Sequence, residues 1–187
     1  MVNNQEIIVD FRKSKGIHTP ISIKGSPVDI VDNFKFLGIH ITDTLTWSLN
    51  TENILKKAQQ RLYFLRRLKK FGLSTKGLVN FYQCIIESVL TGCITVWYGN
   101  MTAQDCNRLQ RTVKTAAKII GIALPSLQNI YTTRCMKKAQ NIIKDTSHPA
   151  NTLFQLLPSK KRYLSIKSRT TRLSNSFFPQ AVRLLNS

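Results

Sequence analysis

Carboxylates are scarce in this sequence: 187 residues carry 9 Asp+Glu against 28 Lys+Arg, a formal net charge of +19. The few that exist do not pair. Two-metal phosphoryl chemistry needs converging acidic side chains, and no such close pair is written in the chain. Glycine is thin as well, with 8 residues and no two closer than five positions. Neither G-x-G-x-x-G nor G-x-x-x-x-G-K-[ST] can therefore be found, which excludes the familiar phosphate loops. Histidine is rarer still. His18 is followed by Thr19-Pro20, His40 by Ile41-Thr42 and His148 by Pro149-Ala150. A non-haem iron triad requires His-x-Asp/Glu with a distant His, and His40 with Asp43 is one residue too far apart. The expectation is a chain with no catalytic residues, no metal ligands and no cofactor.

Cysteine is present but not clustered. Cys84, Cys93, Cys106 and Cys135 are separated by 9, 13 and 29 residues, so no CxxC exists. They read as small buried hydrophobes of a reducing compartment. A zinc site would have to recruit His18, His40 or His148 from distant segments. The N-terminal Met1-Val2-Asn3-Asn4-Gln5-Glu6 lacks a basic stretch followed by an apolar one, so no secretory leader is expected. Gly77–Trp97 is long enough to span a bilayer, yet Asn80, Gln83, Glu87 and Ser88 interrupt it and favour a buried helix. The expected setting is intracellular, nuclear or cytoplasmic, neither secreted nor membrane-bound.

What the chain does have is positive charge, unevenly placed. Arg12, Lys13, Lys15, Lys24 and Lys35 are balanced in residues 1–50 by Glu6, Asp10, Asp29, Asp32 and Asp43. Beyond Asn50 the only acids are Glu52, Glu87, Asp105 and Asp145, so the whole +19 lies there. With 42% hydrophobic residues the chain can bury a core, and the asymmetry divides it by function. The expected fold is α+β, mainly α: a small antiparallel β region over 1–50, a basic helical bundle over 51–145 and a basic, largely extended tail over 146–187.

Glu6–Phe11, Ile21–Lys24, Val28–Val31 and Phe34–Ile41 read as strands, with a polar turn at Arg12–Gly16. From Thr51 the period becomes helical, with Leu55, Ala58, Leu62, Leu65 and the stem of Lys69 on one side and a stop at Gly72. A second helix is expected from Ser74 to Trp97, its core Leu78, Phe81, Tyr82, Ile85, Val89 and Val96, with Gly92 bending it. Thr102-Ala103-Gln104-Asp105 resembles a capping box before a third helix carrying Leu109, Val113, Ala116, Ala117 and Ile120. A fourth carries Leu127, Ile130, Tyr131, Met136, Ala139 and Ile143, and the tail holds one or two helical turns.

Two of these helices carry basic stripes. Lys56, Gln60, Tyr63, Arg67 and Lys70 recur at spacings of 4, 3, 4 and 3 on one narrow face. Cations with an aromatic among them suit a phosphate backbone, with Tyr63 stacking on a base or sugar, although such a face is also what any solvated helix shows. Arg108, Arg111, Lys114 and Lys118 share a face of the third helix, with no carboxylate at i±4. In the tail, Lys160, Lys161, Arg162, Lys167, Arg169 and Arg172 lie within a stretch free of acids. That stretch reads equally as a nuclear-import signal, an RNA-binding arm or a solvated linker.

Phe34-Lys35-Phe36-Leu37-Gly38-Ile39-His40-Ile41 with Leu45-Thr46-Trp47 resembles the post-palm part of a non-LTR (LINE-type) retrotransposon reverse transcriptase. The similarity continues through Lys56–Leu68, Cys93–Gly99, Leu109–Ala116 and Arg169–Leu173. It implies a primer-grip-like hairpin at Phe36, Leu37 and Gly38, a palm strand at Ile7–Phe11 and thumb-like helices that hold a template–primer duplex. The Tyr-x-Asp-Asp box and the earlier palm aspartate are absent, so polymerase activity by this chain alone is not expected. The implied partner is RNA or an RNA–DNA hybrid, held through its backbone. The region around Lys56 to Tyr98 also resembles the domain called AlkB homologue 8 N-terminal. That name implies a 2-oxoglutarate-dependent dioxygenase and a methyltransferase acting on tRNA, chemistries for which the searches above find no residues.

Overall fold

The computed structural model describes residues 5–12, 16 and 18–187, and these form an α+β, mainly α fold. The turn expected at Arg12–Gly16 falls on Lys13, Ser14 and Lys15, outside the described residues.

The β region is three separate two-stranded ladders rather than one sheet. β1 (Gln5–Glu6) pairs in parallel with β4 (Asp29–Ile30), a departure from the antiparallel expectation. β2 (Ser22–Ile23) and β3 (Ser26–Pro27) form an antiparallel pair, as do β5 (Asn33–Phe36) and β6 (Ile39–Thr42). Ile7–Phe11 is not a strand; the Phe11 ring lies under the Arg172 guanidinium, 4.5 Å from its carbon. The Phe34–Ile41 run is no single strand either. Leu37 and Gly38 take φ of 47° and 86° and fold it into a tight hairpin.

α1 (Ser48–Lys70) buries Ile54, Ala58, Leu62 and Leu65 and ends before Gly72, whose φ of 78° only glycine adopts at low cost. Lys69 is exposed rather than laid on the core, because the apolar row continues through half-buried Leu68. β6 packs on α1, where the Asn50 Oδ1 accepts the His40 N–H at 3.2 Å.

The expected second helix is broken. α2 (Thr75–Phe81) runs through a widened π-helical turn at Tyr82–Glu87 into α3 (Ser88–Leu90), and α4 (Ile94–Trp97) restarts after Cys93 at φ 48°. Leu78, Tyr82, Ile86, Leu90, Ile94 and Trp97 are fully buried, whereas the expected core residues Ile85 and Val96 are exposed. The physical reason is the repeat of four. In a regular α-helix a four-residue step advances the stripe by about 40°, and a wider turn takes that drift out. Thr75–Asn100 is long and apolar enough by composition to cross a membrane; here it supplies the centre of the core.

α5 (Ala103–Ile120) begins at Thr102, whose side chain accepts the Asp105 N–H at 3.1 Å. The reciprocal half of the capping box is missing, because the Asp105 carboxylate is used elsewhere. α6 (Leu127–Lys144) is capped by Ser126 and buries Leu127, Tyr131, Cys135, Ala139 and Ile142. Cys135 alone fits the expectation of buried thiols: Cys106 is half-buried, and Cys84 and Cys93 are exposed. Beyond Asp145 the tail carries more helix than a turn or two. α7 (Thr171–Ser174) and α8 (Phe177–Leu185) fold back, and α8 closes a second small core with Ala139, Ile142, Phe154, Ala181 and Val182.

Candidate nucleic-acid interface

α1 and α5 lie against one another and advance in the same direction. The Ser48 hydroxyl at the start of α1 donates to Asp105 Oδ2 at 3.1 Å, at the start of α5. Further along, a cleft of about 440 Å³ is lined by Glu52, Leu55, Lys56 and Gln59 from one helix and Arg108, Arg111, Thr112 and Thr115 from the other. The structure thus brings together three of the cations singled out in the sequence, Lys56, Arg108 and Arg111, from two helices separated by more than thirty residues of chain.

Their states differ. Arg108 is not unaccompanied, because its Nη1 pairs with Asp105 Oδ1 at 3.0 Å; the carboxylate stands at i−3 rather than at i±4. Asp105 is 5% exposed; its carboxylate accepts from Ser48 and Arg108 while its backbone N–H donates to the Thr102 hydroxyl, so it fixes where the two helices start relative to each other. Lys56 and Arg111 are exposed on the two lips, Lys114 and Lys118 continue along α5, and Arg67 and Lys70 continue along α1. Among the described residues, none of these six is in a salt bridge. Glu52 is the single acid in the lining of the cleft.

Tyr63 is 52% exposed and touches its neighbours rather than standing free. Arg67 Nη1 donates to its hydroxyl at 3.3 Å, and the guanidinium carbon lies 5.8 Å from the Tyr63 ring centre and 5.6 Å from that of Phe71. Phe71, missed in the sequence because it follows the last helical turn, is 75% exposed.

Lys160, Lys161 and Arg162 do not join this cleft. They sit at the exposed tip of a loop closed by the Leu156–Tyr163 bridge, and Asn186 ties Tyr163 down through bonds of 2.8 and 3.0 Å. Arg172 leaves the basic arm altogether: it stacks on Phe11 and donates to the Thr44 carbonyl at 2.7 Å. Phe36, Leu37 and Gly38 form the hairpin tip, with Leu37 80% exposed.

A second cavity, of about 300 Å³, is lined in part by Asp10, Asp32, Asp43 and His18. Arg12 clamps Asp10 through Nε at 2.9 Å and Nη2 at 2.6 Å, which holds that carboxyl well below the usual carboxylate range. His40 is also shifted down, by burial with Lys35 and Lys57 adding to it, so its pKa lies below the ordinary imidazole value. Its Nδ1 is buried without a partner. Among the described residues, no group of three His, Cys, Asp or Glu could hold a metal ion. His18 bonds Asp10, and His148 Nδ1 accepts the Ala150 N–H, so neither is free to converge with His40 on iron.

Residues 47–88 match the family model described as alkylated DNA repair protein alkB homolog 8, N-terminal. The match covers α1, α2 and the π-helical turn, and with them Lys56, Tyr63, Arg67, Lys70 and Phe71. It starts at Trp47 and ends at Ser88, under a quarter of the chain, and does not reach α5. No curated protein and no solved structure matches the chain.

Proposed function

We propose that this chain is a nucleic-acid-binding module, similar over 47–88 to the N-terminal part of alkB homolog 8, that grips the phosphate backbone in the cleft between α1 and α5. The observation that carries the reading is the convergence of Lys56, Arg108 and Arg111 on one cleft, while Arg67 and Lys70 lie farther along α1 and Lys114 and Lys118 farther along α5. Like charges brought together by folding repel, and a polyanion relieves that repulsion while releasing its counterions. The matched family is named for DNA repair, which supports a nucleic-acid partner. The grip rests on cations that meet phosphate oxygens rather than base edges, so it is sequence-tolerant. RNA or an RNA–DNA hybrid fits this chemistry as well as DNA does.

The dioxygenase and methyltransferase chemistry implied by the homolog's name finds no fit in these residues. His18 and His148 are bonded within their own segments, and among the described residues no group of three His, Cys, Asp or Glu could hold iron. A second reading, the thumb-like remnant of a LINE-type polymerase, is favoured by one observation. The Phe36-Leu37-Gly38 hairpin forms and projects beside α1, with a leucine held at φ 47° at its tip. An adjoining upstream coding sequence with a Tyr-x-Asp-Asp box would support that origin, and transcripts lacking one would argue against it.

Binding of labelled RNA, DNA and hybrid duplexes followed against salt tests the main reading. A steep, linear log–log fall with little dependence on sequence is expected. A flat response would overturn it.

A further inference from the structure

We propose that the exposed end of α1 is a stacking platform for an unpaired nucleobase, so that the preferred ligand carries a single-stranded extension beside the stretch held in the cleft. This rests on the reading above and names the class of ligand it takes. Tyr63, Arg67 and Phe71 stand at i, i+4 and i+8, with the guanidinium carbon within 5.8 Å of both ring centres. Phe64 meets Tyr63 edge-on at 5.5 Å and is itself 55% exposed.

Aromatic surface left this open has lost the burial that ordinarily fixes such residues, and here it recurs three times within nine positions. Its surroundings decide the partner. Arg66, Lys69, Lys70 and Lys76 are all exposed around it, and no acid occurs between Glu52 and Glu87. A flat apolar face ringed by cations is complementary to a group that is aromatic and anionic at once, which describes a nucleotide. Bases already paired in a duplex hide their faces, so only an unpaired or terminal base can use the platform. Tyr63 accepts one hydrogen bond from Arg67, which leaves the remaining guanidinium donors for the phosphate of that nucleotide.

The spacing allows both sites to act on one strand. From Lys56 to Phe71 the helical rise amounts to about 22 Å, which is about six steps of a duplex strand. The cleft then holds the paired part and the ladder takes the extension.

The test compares a blunt RNA–DNA duplex with the same duplex carrying a three-nucleotide overhang that contains 2-aminopurine. The wild-type chain is expected to bind the overhang form more tightly, by about 5- to 150-fold for one stacked base, with quenching of the probe. Phe71→Ala and Tyr63→Ala should abolish the preference and the quenching while leaving blunt-duplex affinity and its salt slope in place; Phe71→Tyr should restore both. Equal binding of the two duplexes by the wild type, or a preference that survives both alanine variants, overturns the platform and leaves the cleft standing. Failure to bind either duplex overturns both proposals. Loss of binding to anionic phospholipid vesicles in the alanine variants, without any overhang preference in the wild type, assigns the patch to a membrane surface and overturns the platform.

Discussion

Replacing Lys56 and Arg111 together by Gln removes the two unpaired cations that face each other across the cleft, without touching Asp105 or the helix contacts behind it. Along the two stripes of α1 and α5, six exposed cations lack a salt-bridge partner among the described residues: Lys56, Arg67, Lys70, Arg111, Lys114 and Lys118. Arg108 is left out of this set because Asp105 already neutralises it. Six phosphate contacts give a log–log salt slope of about −5 on duplex DNA and about −4 on single strands. Each contact removed lowers the slope by about 0.9 on duplex, so the double variant should read near −3.6. Extrapolated from 1 M to 0.1 M salt, the same relation makes each contact worth about eightfold in affinity, and the pair about 60-fold. Fluorescence anisotropy of a labelled duplex, titrated at five or more salt concentrations, measures both numbers at once. Lys24→Gln, in the turn between β2 and β3, serves as a single-charge control away from the cleft and should leave the slope unchanged. A double variant that keeps the wild-type slope, or a Lys24 variant that lowers it equally, would refute the cleft as the site of contact.

Gly99 lies where the tail comes back: an added Cβ would run into the Asn175 carbonyl and stand 2.7 Å from the Tyr131 hydroxyl. Gly99→Ala should cost about 1–3 kcal/mol by overpacking, lower Tm by about 2–12 °C and speed tryptic cleavage after Lys167 and Arg169. Unchanged cleavage would show that the tail does not dock there. His40 stays neutral in the fold to a pH below its ordinary value of 6.5, while the unfolded chain takes up the proton there. The unfolded state therefore binds more protons in that window, so stability falls as the pH drops below about 6.5 and is complete above it. Tm measured from pH 7.5 to 5 should show that fall, and His40→Phe should flatten it. Leu37→Asn relieves a left-handed leucine in a two-residue turn and should raise stability by about 1 kcal/mol in denaturant melts. A loss of stability would mean that the exposed leucine packs in solution.

The helices were legible because their apolar residues recur at three and four, and because Gly72, Ser126 and Gly121 mark their ends. The break between Thr75 and Asn100 was not: the row at 78, 82, 86, 90 and 94 reads equally as a helix, and only packing reveals the widened turn. The strand region was legible in composition and illegible in pairing, since strands of two to four residues carry no register signal. The basic stripes could be read along each helix separately. That Lys56 and Arg111 face one cleft depends on how α1 meets α5, which no local pattern encodes. The matched family covers only the α1 half of that cleft, while Phe71 escaped notice because it lies one residue beyond the last helical turn.

Two helices laid side by side and pointing the same way place their partial positive ends together, about half a charge each, and their partial negative ends together at the far side. Antiparallel neighbours cancel such dipoles, but α1 and α5 add them. The buried Asp105 carboxylate sits between the two positive ends, held by one donor from each helix, the Ser48 hydroxyl and the Arg108 guanidinium. At the other end Arg67, Lys69 and Lys70 close α1, and Lys118 closes α5. One carboxylate thus binds the pair at its origin, and the cations gathered for a polyanion also offset the negative ends. Neutralising them chemically, by acetylation of Lys70 and Lys118, would loosen the far end of the cleft as well as weaken its grip.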